Sequence, residues 1–202
     1  MVRLSKIYTR VGDAGQTMLG DGSSVSKASA RVNAYGEVDE ANACIGVVIA
    51  GLGPQQETPG LLADIETELL RIQHDLFDLG ADLCVPIEPH ETPASRLRIT
   101  QHQVDRLENA IDRFNEPLRP LDSFVLPGGT LLASHLHVAR TVTRRAERSI
   151  AALHLAEPEK TSPLALIYLN RLSDLLFVLA RAANRPEAGG EGDVLWKPGA
   201  NR

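Results

Sequence analysis

The chain has 202 residues, of which 43 % are hydrophobic and 23 % charged, enough for one domain with a continuous core. Its formal charge of −5 argues against general nucleic-acid binding, and aromatic residues at 4 % point to helices packed through Leu, Ile, Val and Ala rather than to a β-sandwich. No apolar run is expected to reach the ~20 residues that span a bilayer, and Arg3 and Lys6 are not followed by the apolar stretch of a secretory signal. Cys44 and Cys84 fall inside helical apolar patterns and read as reduced core thiols, so a cytoplasmic protein is expected.

Residues 1–31 show no helical period and read as an extended arm. Its glycines, Gly12, Gly15, Gly20 and Gly22, follow a short extended segment at Ile7–Arg10. In Thr9-Arg10-Val11-Gly12-Asp13-Ala14-Gly15-Gln16-Thr17 the glycines let the backbone turn its N–H groups toward an anion, and Thr and Arg add donors. The order matches neither the Walker A pattern nor the Rossmann fingerprint, and a glycine- and serine-rich N-terminus taken alone is more often just a flexible arm.

A helix is predicted from Arg31 to about Leu52, with Val38, Ala41, Ile45, Val48 and Leu52 on one face and Asp39 and Glu40 near its positive end. Gly53-Pro54 stops it. Leu62, Ile65, Leu69, Ile72, Leu76, Leu79 and Leu83 then alternate in steps of three and four, the seam of a helix lying nearly parallel to its neighbours. Pro86, Pro89 and Pro93 mark a mobile connection. Thr100 with Gln103 forms a capping box ahead of a helix with Val104, Leu107, Ile111 and Phe114 inside.

The most informative stretch is Ser123-Phe124-Val125-Leu126-Pro127-Gly128-Gly129-Thr130 and the helix that follows to about Ile150. Pro-Gly-Gly is a turn and Thr130 an N-cap. Leu132, Leu136, Ala139, Thr143, Ala146 and Ile150 form the buried face, while Arg140, Arg144 and Arg148 recur at i, i+4 and i+8 with Arg145 beside them. Glu147 is placed to hold Arg144. Such a stripe suits a polyanion, or else is solvated or paired with acids of a neighbouring helix. A last helix carries Leu164, Ile167, Leu172, Leu175, Leu176 and Leu179 inside and Asn170, Arg171 and Asp174 on a polar flank, and from Arg185 a loose tail surrounds Val194-Leu195-Trp196. The predicted fold is therefore all-α, a five-helix bundle in a ferritin-like up-down arrangement. It forms a single domain: arm 1–31, bundle 32–184, flexible tail 185–202.

Neither cysteine has an acid–base partner in the sequence, Ser173 lacks a nucleophile elbow, and the six histidines form no metal motif. The remaining parts can bind a nucleoside triphosphate without supplying a nucleophile, so an attacking group would come from a second substrate.

Several ordered motifs carry a family resemblance. Tyr8–Thr17, Arg31–Glu40, Phe124–Thr130, Ala139-Arg140-Thr141, Arg144-Arg145-Ala146-Glu147-Arg148 and Leu169–Asp174 together resemble PduO-type ATP:cob(I)alamin adenosyltransferases, over residues 6–184. Ala41 departs from the family's usual leucine, which touches packing only. The resemblance implies a homotrimer with a site at each subunit interface. Thr9, Arg10, Gly12, Thr17 and Lys27, with Val11, Gly15 and Gln16 in the same run, would cradle ATP. Arg144, Arg145, Glu147, Arg148 and Asn170, with Ala146 among them, would hold its triphosphate and Mg2+ from the next subunit, Glu147 being the metal ligand. Asp39 would pair across subunits with Arg144, and Phe124 would cover the lower face of the corrin. The implied reaction is attack of cob(I)alamin on the 5′ carbon of ATP. Arg144, Arg148, Asp39 and Phe124 would be the working residues, and a cobalamin reductase and an adenosylcobalamin-dependent mutase or dehydratase the expected partners. An ATP-binding regulator or a cobalamin-delivery protein without turnover is the competing reading.

Overall fold

The computed structural model describes residues 7–52, 60–92 and 95–200. Arg3, Lys6, Gly53, Pro54 and Pro93, used above, lie outside the described residues. A two-stranded antiparallel hairpin, β1 (Gln16–Met18) and β2 (Ser24–Ser26), precedes five helices. These are α1 (Ala30–Gly51), α2 (Leu61–Cys84), α3 (Gln101–Asn115), α4 (Leu131–Ala156) and α5 (Pro163–Ala182). The architecture is the all-α bundle expected. Helix α1 packs on α2 and α4, and α5 packs on α4 and α3, so α1, α4 and α5 carry most of the shared core.

Local chemistry explains the helix starts. Ser29 accepts the Val32 N–H and Thr130 the Ala133 N–H at 3.1 Å, each removing one orphan donor. The Gln103 side chain returns to the Thr100 N–H at 2.9 Å, the expected capping box. Because α1 begins at Ala30, Asp39 and Glu40 lie well beyond its first turn, which holds no acid; the dipole role expected of them is not served. Helix α4 runs six residues past Ile150, since Leu153 continues the buried face to the end.

Helix α2 buries Ile65, Leu69, Ile72, Leu76, Leu79 and Leu83, as its seam predicted. A second row at the same seven-residue period is acidic: Glu68, Asp75 and Asp82 are also buried. Each is met by a cation: Arg113 reaches Glu68 at 3.4 Å, Arg106 binds Asp75, and Arg98 reaches Asp82 at 2.9 Å. Asp75 further accepts the Tyr168 hydroxyl at 2.9 Å and the Gln103 amide at 3.0 Å. This ladder docks α3 and the loop before it along α2, and Arg98, also bonded to Glu91, pins the described part of that loop.

Two further expectations need correction. Ile167 is exposed, and α5 instead turns Ala165, Tyr168 and Leu169 inward, because the Tyr168 hydroxyl finds Asp75 there. Helix α5 is also long and apolar enough to span a membrane by length and composition, with mean hydropathy 1.5. Its apolarity serves the bundle, where Leu169, Leu172, Leu175, Leu176 and Leu179 are fully buried.

Candidate functional site

The arm is built around a turn. The Asp13 N–H reaches Arg10 O at 3.3 Å and the Gly15 N–H reaches Gly12 O at 3.1 Å, with left-handed φ at Arg10 (65°) and Gly15 (79°). Glycine takes that conformation freely; for Arg10 it is a strained position of the kind found at ligand clamps. The Lys27 N–H closes on Gly15 O at 2.9 Å. A Cβ at Gly12 would stand 2.8 Å from the Lys27 ammonium, so glycine leaves the seat in which that cation rests. Thr17 stands close to Tyr35 on α1, whose phenol is pushed upward by burial. Leu19 is buried, and the Gly20 N–H donates to Cys84 O at 3.1 Å, fixing the hairpin on the end of α2. Thr9, Arg10, Val11, Gly15, Gln16 and Lys27 are exposed, so the outer side of the turn faces solvent.

At the root of the arm Arg31 is 3 % exposed. Its guanidinium donates to Leu83 O at 2.8 Å, Glu157 at 2.7 Å and Lys160 O at 3.0 Å, joining the ends of three helices beneath the hairpin.

The arginine stripe divides by partner. Arg145 donates to Glu37 at 2.5 Å and to Glu40 on α1, and these carboxylates raise its already high basicity. It is tied into the bundle rather than offered to a ligand. Arg148 lies back along its own helix, donating to Arg144 O at 2.9 Å. Arg144 is exposed and enters no ion pair among the described residues. Glu147 does not hold it; its carboxylate instead accepts the Asn170 amide at 2.9 Å, across from α4 to α5. Asp174, on the same flank as Asn170, has its carboxyl pushed up by burial, with Arg171 and Arg144 pulling the other way and Glu147 adding to the rise. Ala146 is fully buried, so its side chain belongs to the core and not to a binding surface. No hydrogen bond or ion pair among the described residues joins residues 9–29 to Arg144 or Arg148.

One turn before Arg144, about 6 Å along the axis, Arg140 enters a groove of ≈ 740 Å³. Phe124, Phe177 and Trp196 share that groove. Phe124 is 77 % exposed, with its ring 6.0 Å from that of Trp196 and tilted by 59°. Arg140 Nε is buried without a hydrogen-bond partner, and burial, then the like charge of Arg144, lowers its basicity.

The tail is not loose. Val125 and Leu195 form an antiparallel bridge, the Leu126 N–H reaches Val194 O at 2.7 Å, and the Trp196 N–H reaches Phe124 O at 2.8 Å. Arg181 holds Asp193 at 3.0 Å. Sequence reasoning missed Phe177, hidden in the apolar run of α5, and undervalued Trp196. The signal was there: the chain's single tryptophan stands in a glycine- and proline-rich stretch that offers it no core of its own.

Comparisons with known proteins identify the family. A family model described as cobalamin adenosyltransferase matches residues 7–183. A corrinoid adenosyltransferase of Mycobacterium tuberculosis is 52 % identical over 204 residues, covering 100 % of this chain and 97 % of that one. One from Bacillus subtilis is 44 % identical, covering 96 % and 94 %. A solved PduO-type ATP:corrinoid adenosyltransferase from Lactobacillus reuteri, a phenylalanine-to-alanine variant complexed with cobalamin and ATP, has a TM-score of 0.82 at 38 % identity. It covers 95 % of this chain and 99 % of that one. An arginine-to-lysine variant from the same source, complexed with ATP, has a TM-score of 0.80 at 39 % identity, covering 95 % and 100 %. The chain belongs to the cobalamin adenosyltransferase family, PduO type, and transfers the adenosyl group of ATP to a corrinoid to give adenosylcobalamin.

Proposed function

We propose that each reaction centre of this adenosyltransferase is shared by two copies of the chain in a homotrimer, the glycine turn of one holding ATP against the arginine stripe of the next. The carrying observation is that the exposed turn and Arg144 are not bonded to each other within one chain, while Arg144 stands one helical turn from the aromatic groove. The two L. reuteri variants add support: their replaced phenylalanine and arginine stand twenty positions apart, as Phe124 and Arg144 do here.

In this arrangement Gly12, Gly15 and their neighbours turn backbone N–H groups to the nucleotide, and Arg10 and Lys27 add charge. Arg144 and Arg148 grip the triphosphate in the planar, bidentate manner that lysine cannot reproduce. Cobalt(I) supplies the electron pair that forms the Co–C5′ bond, and the C5′–O bond breaks with triphosphate leaving. No protein base is required, so the chain's contribution is positioning and neutralising the departing charge. Phe124, Phe177 and Trp196 form an apolar floor for the corrin. An aromatic face donates no electrons to the metal and so favours loss of the lower axial ligand before reduction.

Magnesium fits as a partner of the nucleotide. Among the described residues no group of three or more His, Cys, Asp or Glu is placed to hold a metal, but Mg2+ at nucleotide sites is commonly held by one or two carboxylates plus phosphates. Glu147, oriented by Asn170, supplies one such carboxylate, and the ion would offset charge on the triphosphate. Asp39 is exposed and enters no ion pair among the described residues. A guanidinium of the neighbouring copy would complete it. Arg140, with its unpartnered Nε, suits that pairing better than Arg144, which the triphosphate needs.

Complementation tests the shared centre. Arg10→Ala and Arg144→Ala chains, each inactive alone, are unfolded together, refolded and assayed for adenosylcobalamin and triphosphate from ATP and reduced cobalamin. Recovery of about a quarter of wild-type activity is expected from equal amounts, because in randomly mixed trimers a given centre draws both intact halves about one time in four. No recovery from trimers shown to be mixed would place both residues in one chain's centre.

A further inference from the structure

Asn184 is 1 % exposed, just past the end of α5, and every polar group it owns is engaged. Its Oδ1 accepts the Thr130 N–H at 2.9 Å and its Nδ2 donates to Gly128 O at 3.0 Å. Its backbone N–H donates to Arg181 O at 3.1 Å, and its carbonyl accepts the Gly192 N–H at 2.7 Å. Only a carboxamide of this length presents one acceptor and one donor to the same turn; a carboxylate would set two acceptors against Gly128 O.

Two glycines are shaped to it. A Cβ at Gly129, whose φ is +104°, would stand 2.1 Å from Asn184 Oδ1. A Cβ at Gly190 would stand 2.1 Å from Asn184 O. The side chain therefore grips the turn before α4, and the main chain grips the tail. Phe124 lies four residues before Gly128, and Trp196 four residues after Gly192. Between these roots and the rings, the two segments are laced by the Leu126–Val194 and Trp196–Phe124 backbone bonds and by the Ser123 hydroxyl on Trp196 O at 2.7 Å.

We infer that Asn184 is a positioning residue for corrin binding: it roots both short segments that carry Phe124 and Trp196, and so fixes the spacing of the aromatic floor without touching substrate. This rests on the reading of the aromatic groove as the corrin site. Asn184 has no bond to Arg144, Arg148 or the glycine turn, so its effect is confined to one substrate.

The test uses the whole chain and its single tryptophan as reporter. Asn184→Asp and Gly190→Ala are compared with wild type for Trp196 emission, for KM of cobalamin and of ATP, and for the paramagnetic-resonance signal of cobalt(II) without its lower ligand. Both variants are expected to red-shift Trp196 emission, raise the KM for cobalamin about tenfold or more and shrink that signal, while the KM for ATP stays within about twofold. If Asn184→Asp does not fold, Gly190→Ala carries the same expectations through the tail alone. Unchanged emission and cobalamin KM, or equal losses for both substrates, would overturn the assignment. Phe124→Ala is the control for the underlying reading: if it too leaves cobalamin KM and signal untouched, the groove has been misassigned. If it alters them while both clip variants do not, only the role of Asn184 falls.

Discussion

Nε of Arg145 lies 2.5 Å from Oε2 of Glu37, a bond that fastens α4 to α1 through one of four clustered arginines. Glu40 holds the other end of the same guanidinium. Arg144, adjacent in sequence but rotated about 100° around the helix, meets neither acid. Neighbouring identical side chains thus have different surroundings, and substitution tests whether their tasks differ too. Arg144→Lys keeps the charge but loses the planar fork, and turnover should drop by ~10²- to 10³-fold, the usual cost of one oriented donor at a leaving group. Arg145→Lys, at an exposed pair, should leave turnover within a few-fold of wild type. Steady-state assays of both, with circular dichroism to confirm the fold, decide the matter; equal losses would mean that Arg145 also reaches substrate.

How much of this was legible beforehand follows from the range of each interaction. The helices were, because a helical face repeats within a few residues and caps such as Thr100–Gln103 are local. The row Glu68, Asp75 and Asp82 was not read as buried, because an acid in sequence looks solvated until its distant partner is known. Asp75 depends on Arg106 and on Tyr168, 93 positions away. The candidate site residues were legible as motifs, Thr9–Thr17 and Arg140–Arg148, yet which arginine meets an acid was not. Whether an arginine meets Glu37 or open solvent depends on how α1 rolls against α4, and no local pattern encodes that. The tail was misread for the same reason: glycine and proline predict loops, but the bridge between Val125 and Leu195 is a long-range bond.

The acidic row gives a stability prediction. Asp75→Ala would strand the Arg106 guanidinium and the fully buried Tyr168 hydroxyl together, which should cost about 3–5 kcal/mol. Tyr168→Phe removes one donor and leaves Asp75 its other two partners, so about 1 kcal/mol is expected. Urea titrations at neutral pH measure both. Similar small losses in the two variants would show that the ladder is a surface feature with little share in docking α3.

His137 gives the pH dependence. The ring is 2 % exposed, packs 6.2 Å from Phe177, and has neither nitrogen hydrogen-bonded. Burial first, and then the charge of Arg140, hold its basicity below the ordinary value of 6.5, with Asp193 opposing weakly. A depressed imidazole means that just below pH 6.5 the unfolded chain binds a proton that the folded chain resists. The stability this group contributes is therefore complete above that pH and falls away as the solution is acidified toward the folded-state value. Asp21 and Glu91, whose carboxyls are held low by Ser23 and Arg98, lose their contributions only in the carboxylate range, whereas burial pushes the carboxyls of Asp82 and Asp174 upward toward the interval, so the histidine is read from the difference between wild type and a variant that lacks it. His137→Leu matches the apolar surroundings and has no proton to bind. Its urea midpoint should change less between pH 7 and pH 5 than that of wild type, so that the variant gains on wild type as acid is added. Parallel curves across that interval would show that His137 is protonated equally in both states, and that the acid sensitivity of the fold lies elsewhere.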